Sequence, residues 1–245
     1  MSNATSEAMR TMRHGDWMTA ATEEYRRLDA LLAELRDEEW ATPTDCDEWD
    51  VRQLVAHLVG AAEAGAGIRA LVHQARLGRR LRPGQPGVDG MNAVQVQERA
   101  DAAPDELRAD LASVGARAVR RRSGLPAALR AMRVPFGPPL GTKPLGYLMD
   151  RIYTRDAWMH RIDISRATGR ALRLTADHDG RIVADVVTEW ARGHGQAYRL
   201  TLTGPAGGSW SNGDGESHTL DAVEFCRIMS GRAPGDGLLA HQVPF

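Results

Sequence analysis

The chain has 245 residues, of which 42% are hydrophobic and 26% are charged, and its formal net charge is -1 at pH 7. These values are typical of a globular protein with one large or two ordinary domains, and the balanced charge gives no support for nucleic acid or an anionic membrane as a partner. No apolar run approaches the roughly 18–20 residues of a membrane span, and no signal-peptide core is present. The two cysteines, Cys46 and Cys226, do not form a disulfide framework, which favours a reducing cytoplasm.

The first two thirds of the chain has the apolar spacing of a helical protein. After a loose leader over residues 1–15, Asp16 is the expected N-cap of the first helix. A glycine- and proline-rich connection is predicted at 80–90 and an extended loop at 134–141. Residues 1–168 therefore form a bundle of four main helices with one long interruption. The predicted helical segments are 16–36, 50–73, 91–98, 104–122 and 145–167.

The helix predicted at 104–122 carries a run of arginines, Arg117, Arg120, Arg121 and Arg122. A polyanion site is one interpretation of such a run. No aromatic residues interleave with these arginines, as they do in single-strand nucleic-acid sites, and the overall charge is balanced. We therefore expect them to form a solvated helix face.

The character of the chain changes at Gly169. A strand or connector is expected at 172–174, an amphipathic helix at 177–192, and a half-buried strand at Tyr198–Thr203, where apolar and polar residues alternate. A glycine-rich turn then leads to a second strand near 209–211, and a last helix over 221–229 stops at Gly231. Two strands and two helices predict a small α+β domain over residues 169–245.

Three ionisable residues lie on one stripe of the helix predicted at 145–167. Asp156 and His160 are four residues apart, and Asp163 follows three residues later, so the three side chains face the same way. An inward-facing carboxylate and imidazole need a partner, because an unpaired buried charge is costly. A divalent metal is one such partner. A simple Asp–His pair at the helix surface is the alternative.

A further histidine, His57, lies on the flank of the apolar stripe of the helix predicted at 50–73. Taken alone, such a residue is typical of a hydrogen-bonded boundary position. In a bundle, however, His57 can face the same interior point as Asp156 and His160. Two histidines and one carboxylate are the ligands of an open catalytic zinc site, and they also suit iron(II) and other divalent metals. Asp163 is close enough to hold the second nitrogen of an imidazole.

Three segments of the chain resemble the mycothiol-dependent maleylpyruvate isomerases and their actinobacterial relatives, which are related to DinB-like metalloproteins. They occur in the family's order and together span nearly the whole chain. The first is similar to a Cys-x-x-Trp motif followed by a helix that ends in His-Leu. The segments are Cys46 to Leu58 with Trp49 and His57, Asp156 to Ile164 with His160, and Asp221 to Phe225 with Ser230-Gly231-Arg232.

The resemblance implies an α+β protein with a DinB-like, metal-binding four-helix bundle at 1–168 and a small C-terminal domain at 169–245, similar to sterol-carrier-like folds. It implies that His57, Asp156 and His160 bind a divalent metal, typically zinc. It also implies that Arg232 lies near the active site. The enzyme that names the family has glutamate where this chain has Asp156. Because aspartate is a shorter ligand, the identity of the metal stays open.

The chemistry implied by this resemblance uses a low-molecular-weight thiol. A coordinating divalent ion deprotonates a thiol, so mycothiol would become a nucleophile toward a small electrophilic substrate. Addition to a cis double bond, rotation and elimination would make the protein an isomerase, whereas a stable conjugate would make it an S-transferase. Arg232 would pair with a substrate carboxylate, unless it only meets carbonyls at a helix end. Cys46, in a loop with acidic neighbours, is expected to be structural.

Two other classes of function remain open. One is a non-catalytic, metal-stabilised protein that binds a small apolar ligand or a regulatory partner, which a closed site with four protein ligands would favour. The other is a hydrolase that uses a metal-bound hydroxide and no thiol.

Overall fold

The computed structural model describes residues 11–46, 48–138 and 140–245. It has an α+β fold, as the sequence predicts, with one compact unit at His14–Leu172 and a second built on Arg173–Phe245. The first ten residues of the leader expected at 1–15 lie outside the described residues. A search of the described helices finds none with the length and apolar character needed to cross a bilayer.

The first unit is mainly helical. Between α6 and α7 a two-stranded antiparallel hairpin, β1 (Arg133–Pro135) and β2 (Thr142–Pro144), occupies the region expected as an extended loop. A π-helical segment, Tyr147–Ile152, then leads into α7. The helices are α1 (His14–Leu32), α2 (Val51–Ala66), α3 (Ile68–Leu81), α4 (Gly87–Gln97), α5 (Pro104–Ser123), α6 (Ala127–Ala131) and α7 (Tyr153–Thr168).

Four of these helices form the predicted bundle. α1 and α2 each pack against both α5 and α7, which closes a ring around an apolar core. A buried ion pair also joins α1 to α7, with Arg161 Nε 2.5 Å from Glu24 Oε1. Because burial of one charge without its partner is costly, this pair holds the two helices in one alignment. The largest buried aliphatic side chains of the core include Leu28, Leu54, Leu58, Leu107 and Ile164.

Two expectations for the first two helices were wrong. The structure begins α1 at His14, so Asp16 lies within its first turn and is not the N-cap, although an acidic side chain there still favours the positive end of the helix dipole. The single helix predicted at 50–73 is divided at Gly67, whose backbone is extended with ψ 139°. This break allows α3 to fold back against α2.

The pair α3 and α4 packs beside α2 at very short range. Gly78 of α3 and Gly90 of α4 touch backbone to backbone, and a Cβ atom added to Gly90 would lie 2.6 Å from the Gly78 carbonyl oxygen. At Gly60 of α2, an added Cβ would lie 2.4 Å from Cγ of Gln95 on α4. These glycines therefore allow the polar side chains of α3 and α4 to reach α2.

The second unit contains helix α8 (Arg181–His194), a three-stranded sheet and helix α9 (Ala222–Met229). The sheet order is β4–β3–β5, with β4 (Gly208–Asn212) antiparallel and β5 (Glu216–Asp221) parallel to the predicted strand β3 (Tyr198–Thr203). The sequence did not predict β5, because its residues are largely polar and alternate weakly. Asp221 caps α9 by accepting hydrogen bonds from the backbone N–H groups of Val223 and Glu224.

The contact between α3 and α4 generates a prediction for stability. Gly90→Ala should lower the free energy of unfolding by about 1–3 kcal/mol, because the new methyl group meets rigid backbone. Gly87→Ala in the same helix is the matched control, since nothing lies within 4 Å of its added Cβ. Urea unfolding followed by circular dichroism measures both variants. Equal midpoints for the two would contradict the close packing described here.

Candidate metal centre

The bundle brings His57 of α2 together with Asp156 and His160 of α7. His57 Nε2 lies 3.4 Å from Asp156 Oδ2, and His160 Nε2 lies 3.3 Å from Asp156 Oδ1. The two histidines are buried, whereas the Asp156 side chain is 21% exposed. The two imidazoles therefore point at one carboxylate that solvent can reach.

A chain of side-chain amides determines which nitrogen of His57 carries the proton. Gln74 Nε2 donates to the Gly60 carbonyl oxygen at 2.9 Å, and Gln95 Nε2 donates to Gln74 Oε1 at 2.8 Å. Gln95 therefore presents Oε1 to His57 Nδ1, at 2.8 Å. Because a carbonyl oxygen can only accept, the direction of the chain requires His57 Nδ1 to donate. In a neutral ring, Nε2 then carries a lone pair.

His160 is oriented in the same way by its own helix. Its Nδ1 lies 2.9 Å from Oδ2 of Asp163, which is fully buried, and this confirms that Asp163 can hold the second nitrogen. Cys46 Sγ donates to the same oxygen at 3.6 Å. Cys46, His160 and Asp163 also lie close enough together to hold an ion. An ion in that set would bind His160 through Nδ1, the nitrogen that faces Asp163, and would not include His57 as a ligand.

The electrostatics of the cluster reflect its compactness. Burial disfavours the Asp156 carboxylate, but the imidazoles of His160 and His57 outweigh this effect and hold its pKa well below the usual range. Burial lowers the pKa of His160, whereas Asp156, Asp163 and Cys46 raise it, and the net pKa lies well above its ordinary value. In the metal-free cluster the positive charge of protonated His160 thus balances the negative charge of Asp156. A bound cation would balance that negative charge instead.

The geometry fits a divalent metal. His57 Nε2 is buried and has no hydrogen-bond partner within the described part of the chain. In a tetrahedral zinc site with bonds of about 2.0–2.1 Å, neighbouring ligand atoms are about 3.3 Å apart. The separations of 3.3 and 3.4 Å from Asp156 to the two imidazoles match that value. The three side chains could hold an ion with a further position open.

Sequence reasoning missed Gln74 and Gln95. Both are nearly inaccessible to solvent, at 1% and 2% exposure. A signal was present, since two glutamines on helices with apolar neighbours need internal partners. Their partner could not be identified, because His57 and Gln95 are 38 residues apart.

The arginine run at the end of α5 was predicted as a solvated face, and for Arg122 that prediction was wrong. Arg117, Arg120 and Arg121 are exposed, but the Arg122 side chain is completely buried. The signal lay in the spacing, because Arg122 follows Leu107, Leu111, Val114 and Ala118 on the inward stripe of α5.

Arg232 belongs to the second unit, just after α9. Gly231, with φ 79°, ends the helix there, and the Arg232 backbone N–H donates to the Arg227 carbonyl oxygen at 2.8 Å. The Arg232 side chain is partly exposed and lines an open cavity of about 470 Å³, together with Ile228, Pro234 and Gln242.

Comparisons with known proteins agree with the fold. Two mycothiol-dependent maleylpyruvate isomerase crystal structures, one of a histidine-to-alanine variant, superpose with a TM-score of 0.61 at 17% and 18% identity, over 91% of this chain and 90% of theirs. Two uncharacterized proteins from Mycobacterium tuberculosis strains H37Rv and CDC 1551 are 24% identical over 84% of this chain and 80% of their own length.

The family assignment depends on the bundle that carries the cluster. Residues 21–165 match the family model described as the mycothiol maleylpyruvate isomerase N-terminal domain. The matched segment is more than half of the chain and contains His57, Asp156 and His160. The chain belongs to the mycothiol-dependent maleylpyruvate isomerase family.

Proposed function

We propose that this chain is a metal-dependent enzyme that uses mycothiol to isomerise a small electrophilic substrate. The observation that carries the proposal is the convergence of two oriented imidazoles on Asp156, where the lone pair of His57 Nε2 has no hydrogen-bond donor among the described residues. The family and the activity of the solved relatives, which are mycothiol-dependent maleylpyruvate isomerases, support the choice of thiol and reaction.

In this proposal His57, Asp156 and His160 hold a divalent cation, zinc or another ion of similar preference. When bound, the cation supplies the Lewis acidity that lowers the pKa of a thiol into the physiological range. Gln95 and Asp163 hold the two imidazoles in the tautomer that presents Nε2. Trp49 stacks on His57, with ring centroids 4.9 Å apart, and restricts rotation of the ring.

An open catalytic site explains this cluster better than a closed structural one. It offers three protein ligands, and Asp156 is the one that solvent reaches. Structural zinc sites are closed by four protein ligands, whereas catalytic sites keep a position for water or substrate. This difference favours an enzyme over the non-catalytic, metal-stabilised protein.

Arg232 is proposed to bind a carboxylate of the substrate. Arg232 is among the residues that line the cavity of the second unit, and a guanidinium is the side-chain group that matches carboxylate geometry. The proposed partners are therefore a small anionic electrophile and a low-molecular-weight thiol. A reducing cytoplasm is the proposed location, because the thiol must stay reduced.

Metal content tests the ligand set. Purified protein dialysed against zinc should hold about one ion per chain, and His57→Ala and His160→Ala should lose it. His73→Ala is the control, because the His73 side chain is 57% exposed and pairs with Glu98 at the surface. Elemental analysis gives the zinc content, and circular dichroism verifies folding. Folded variants with wild-type zinc content would rule out this ligand set.

The amide chain generates a second prediction. Gln95→Leu removes the acceptor for His57 Nδ1 and should weaken zinc affinity by roughly 10–100-fold, as loss of a group that orients a metal ligand usually does. Gln97→Leu, on the exposed end of the same helix, should leave affinity unchanged. Competition with a chromophoric chelator measures both. If the two variants bind zinc equally well, Gln95 does not orient the ligand.

Turnover tests the reaction itself. With zinc and mycothiol, the protein should convert maleylpyruvate from the cis to the trans isomer, and omission of either should reduce the rate at least a hundredfold, to about the uncatalysed level. Chromatography of the products separates the outcomes. Accumulation of a thioether would indicate S-transfer instead, and hydrolysis without thiol would contradict the role of mycothiol.

A further inference from the structure

The loop that leads into α2 contacts both of the proposed histidine ligands. Trp49 stacks on His57, with ring centroids 4.9 Å apart and an angle of 28° between the ring planes. The Trp49 ring centroid also lies 6.2 Å from that of His160. Three residues earlier in the chain, Cys46 Sγ lies 3.9 Å from His160 Nδ1. One short segment therefore reaches two rings that belong to different helices.

These contacts leave the nitrogens of the proposed metal site clear. Trp49 covers a face of the His57 ring. Cys46 lies at the Nδ1 edge of His160, so both Nε2 atoms still face Asp156. A hydrogen bond at Nδ1 fixes one edge of an imidazole, and a packed neighbour opposes the remaining tilt of the ring. The loop therefore restrains both rings without occupying the position of a metal ion.

The Thr44 hydroxyl joins the backbones of these two loop residues. Thr44 Oγ1 donates to the Trp49 carbonyl oxygen at 2.8 Å and accepts from the Cys46 backbone N–H at 3.1 Å. The Trp49 backbone N–H donates in turn to the Cys46 carbonyl oxygen at 2.7 Å. A hydroxyl can donate and accept at once, whereas valine, which has nearly the same shape, can do neither. The side chain of Thr44 is therefore the polar group that fixes Cys46 relative to Trp49.

The loop is anchored to the two helices that carry the proposed ligands. Asp50 is the N-cap of α2, and its side chain accepts a hydrogen bond from the backbone N–H three residues later at 2.7 Å. Arg166 Nε of α7 donates to Asp45 Oδ2 at 2.8 Å. An exposed ion pair of this kind contributes little to stability, but it places the loop beside α7. The orientation of the side chains between these anchors then depends on hydrogen bonds inside the loop, two of which the Thr44 hydroxyl makes.

We infer that Thr44 is a positioning residue of the metal centre. Its hydroxyl fixes the backbone of Cys46 and Trp49. Through these two side chains it holds the imidazoles of the cluster in the orientation in which both Nε2 atoms face Asp156. The assignment rests on the proposed function, since a divalent ion is the ligand for which the rings are held. It extends the groups that orient the ligands beyond the two acceptors at Nδ1, to a third and separate segment of the chain.

The first measurement uses metal-free protein and follows the imidazole N–H protons by NMR. Thr44→Val should raise the rate at which the Nδ1 protons of His57 and His160 exchange with solvent by about threefold to tenfold, the usual effect of losing a hydrogen bond. Thr44→Ser keeps the hydroxyl and should restore slow exchange. Thr42→Val is the matched control, because the Thr42 hydroxyl has no hydrogen-bond partner among the described residues. Wild-type exchange rates in a folded Thr44→Val variant would overturn the inference.

Zinc affinity gives the second measurement, by competition with a chromophoric chelator. Thr44→Val should weaken zinc binding by about tenfold, the lower end of the effect of losing a group that orients a metal ligand, whereas Thr44→Ser and Thr42→Val should bind as wild type does. Equal zinc affinity in Thr44→Val and wild type would contradict the positioning role. If wild type itself binds no zinc, the proposed function fails, and the exchange rates in metal-free protein still decide whether Thr44 holds the two rings.

Thermal unfolding separates this role from a purely structural one. The backbone hydrogen bond from the Thr44 N–H to the Trp49 carbonyl oxygen, at 3.1 Å, remains in Thr44→Val, so the variant should melt within a few degrees of wild type. If Thr44→Val does not fold, Cys46→Ala removes the thiol from the edge of His160 and should accelerate exchange of the His160 Nδ1 proton alone. Unchanged exchange at His160 in Cys46→Ala would then refute the inference.

Discussion

Two hydrogen bonds at the Nδ1 atoms of His57 and His160 determine how the two imidazoles of the bundle interior are oriented. Each bond makes Nδ1 the protonated nitrogen of the neutral ring and directs Nε2 toward Asp156. The two acceptors differ, because Gln95 offers a neutral amide oxygen and Asp163 a carboxylate. The Asp163 carboxylate is one of the groups that raise the pKa of His160. Both Nε2 atoms therefore face the Asp156 carboxylate, at 3.4 Å from His57 and 3.3 Å from His160.

The helices outside the four-helix ring supply this orientation. α3 and α4 contribute little to the central core, but Gln74 and Gln95 reach α2 only because three glycines allow close backbone approach, at Gly60, Gly78 and Gly90. The break at Gly67 also allows Gln74 to contact α2, because a continuous helix would carry Gln74 away from the Gly60 carbonyl oxygen. Helices α3 and α4 thus hold His57 in its orientation. Their packing against α2 determines the direction in which the His57 Nε2 lone pair points.

The sequence predicted those parts of the site that depend on local spacing. Asp156, His160 and Asp163 share a stripe by helical geometry alone, and a bundle allows His57 to face them. Gln95 could not be predicted, because its contact with His57 depends on how two distant helices cross. Strand β5 could not be predicted because its polar residues form a strand through hydrogen bonding to β3, a contact that the local sequence does not show. The error at Arg122 had a different origin: three exposed neighbours suggested a common face, whereas a helix turns by about 100° at each residue and brings the fourth arginine inward.

Arg122 and His57 illustrate one relation between stability and buried polar groups. A bundle selected only for stability would place an aliphatic side chain at position 122, in line with Leu111 and Ala118 on the same stripe. The low polarity that penalises a buried guanidinium also strengthens the hydrogen bonds that it does make, here from Nη2 to Thr154 Oγ1 at 2.8 Å. The His57 Nε2 lone pair is the acceptor counterpart, since it is buried and has no hydrogen-bond partner among the described residues. Both groups therefore lower the stability that the same bundle would have with an apolar interior.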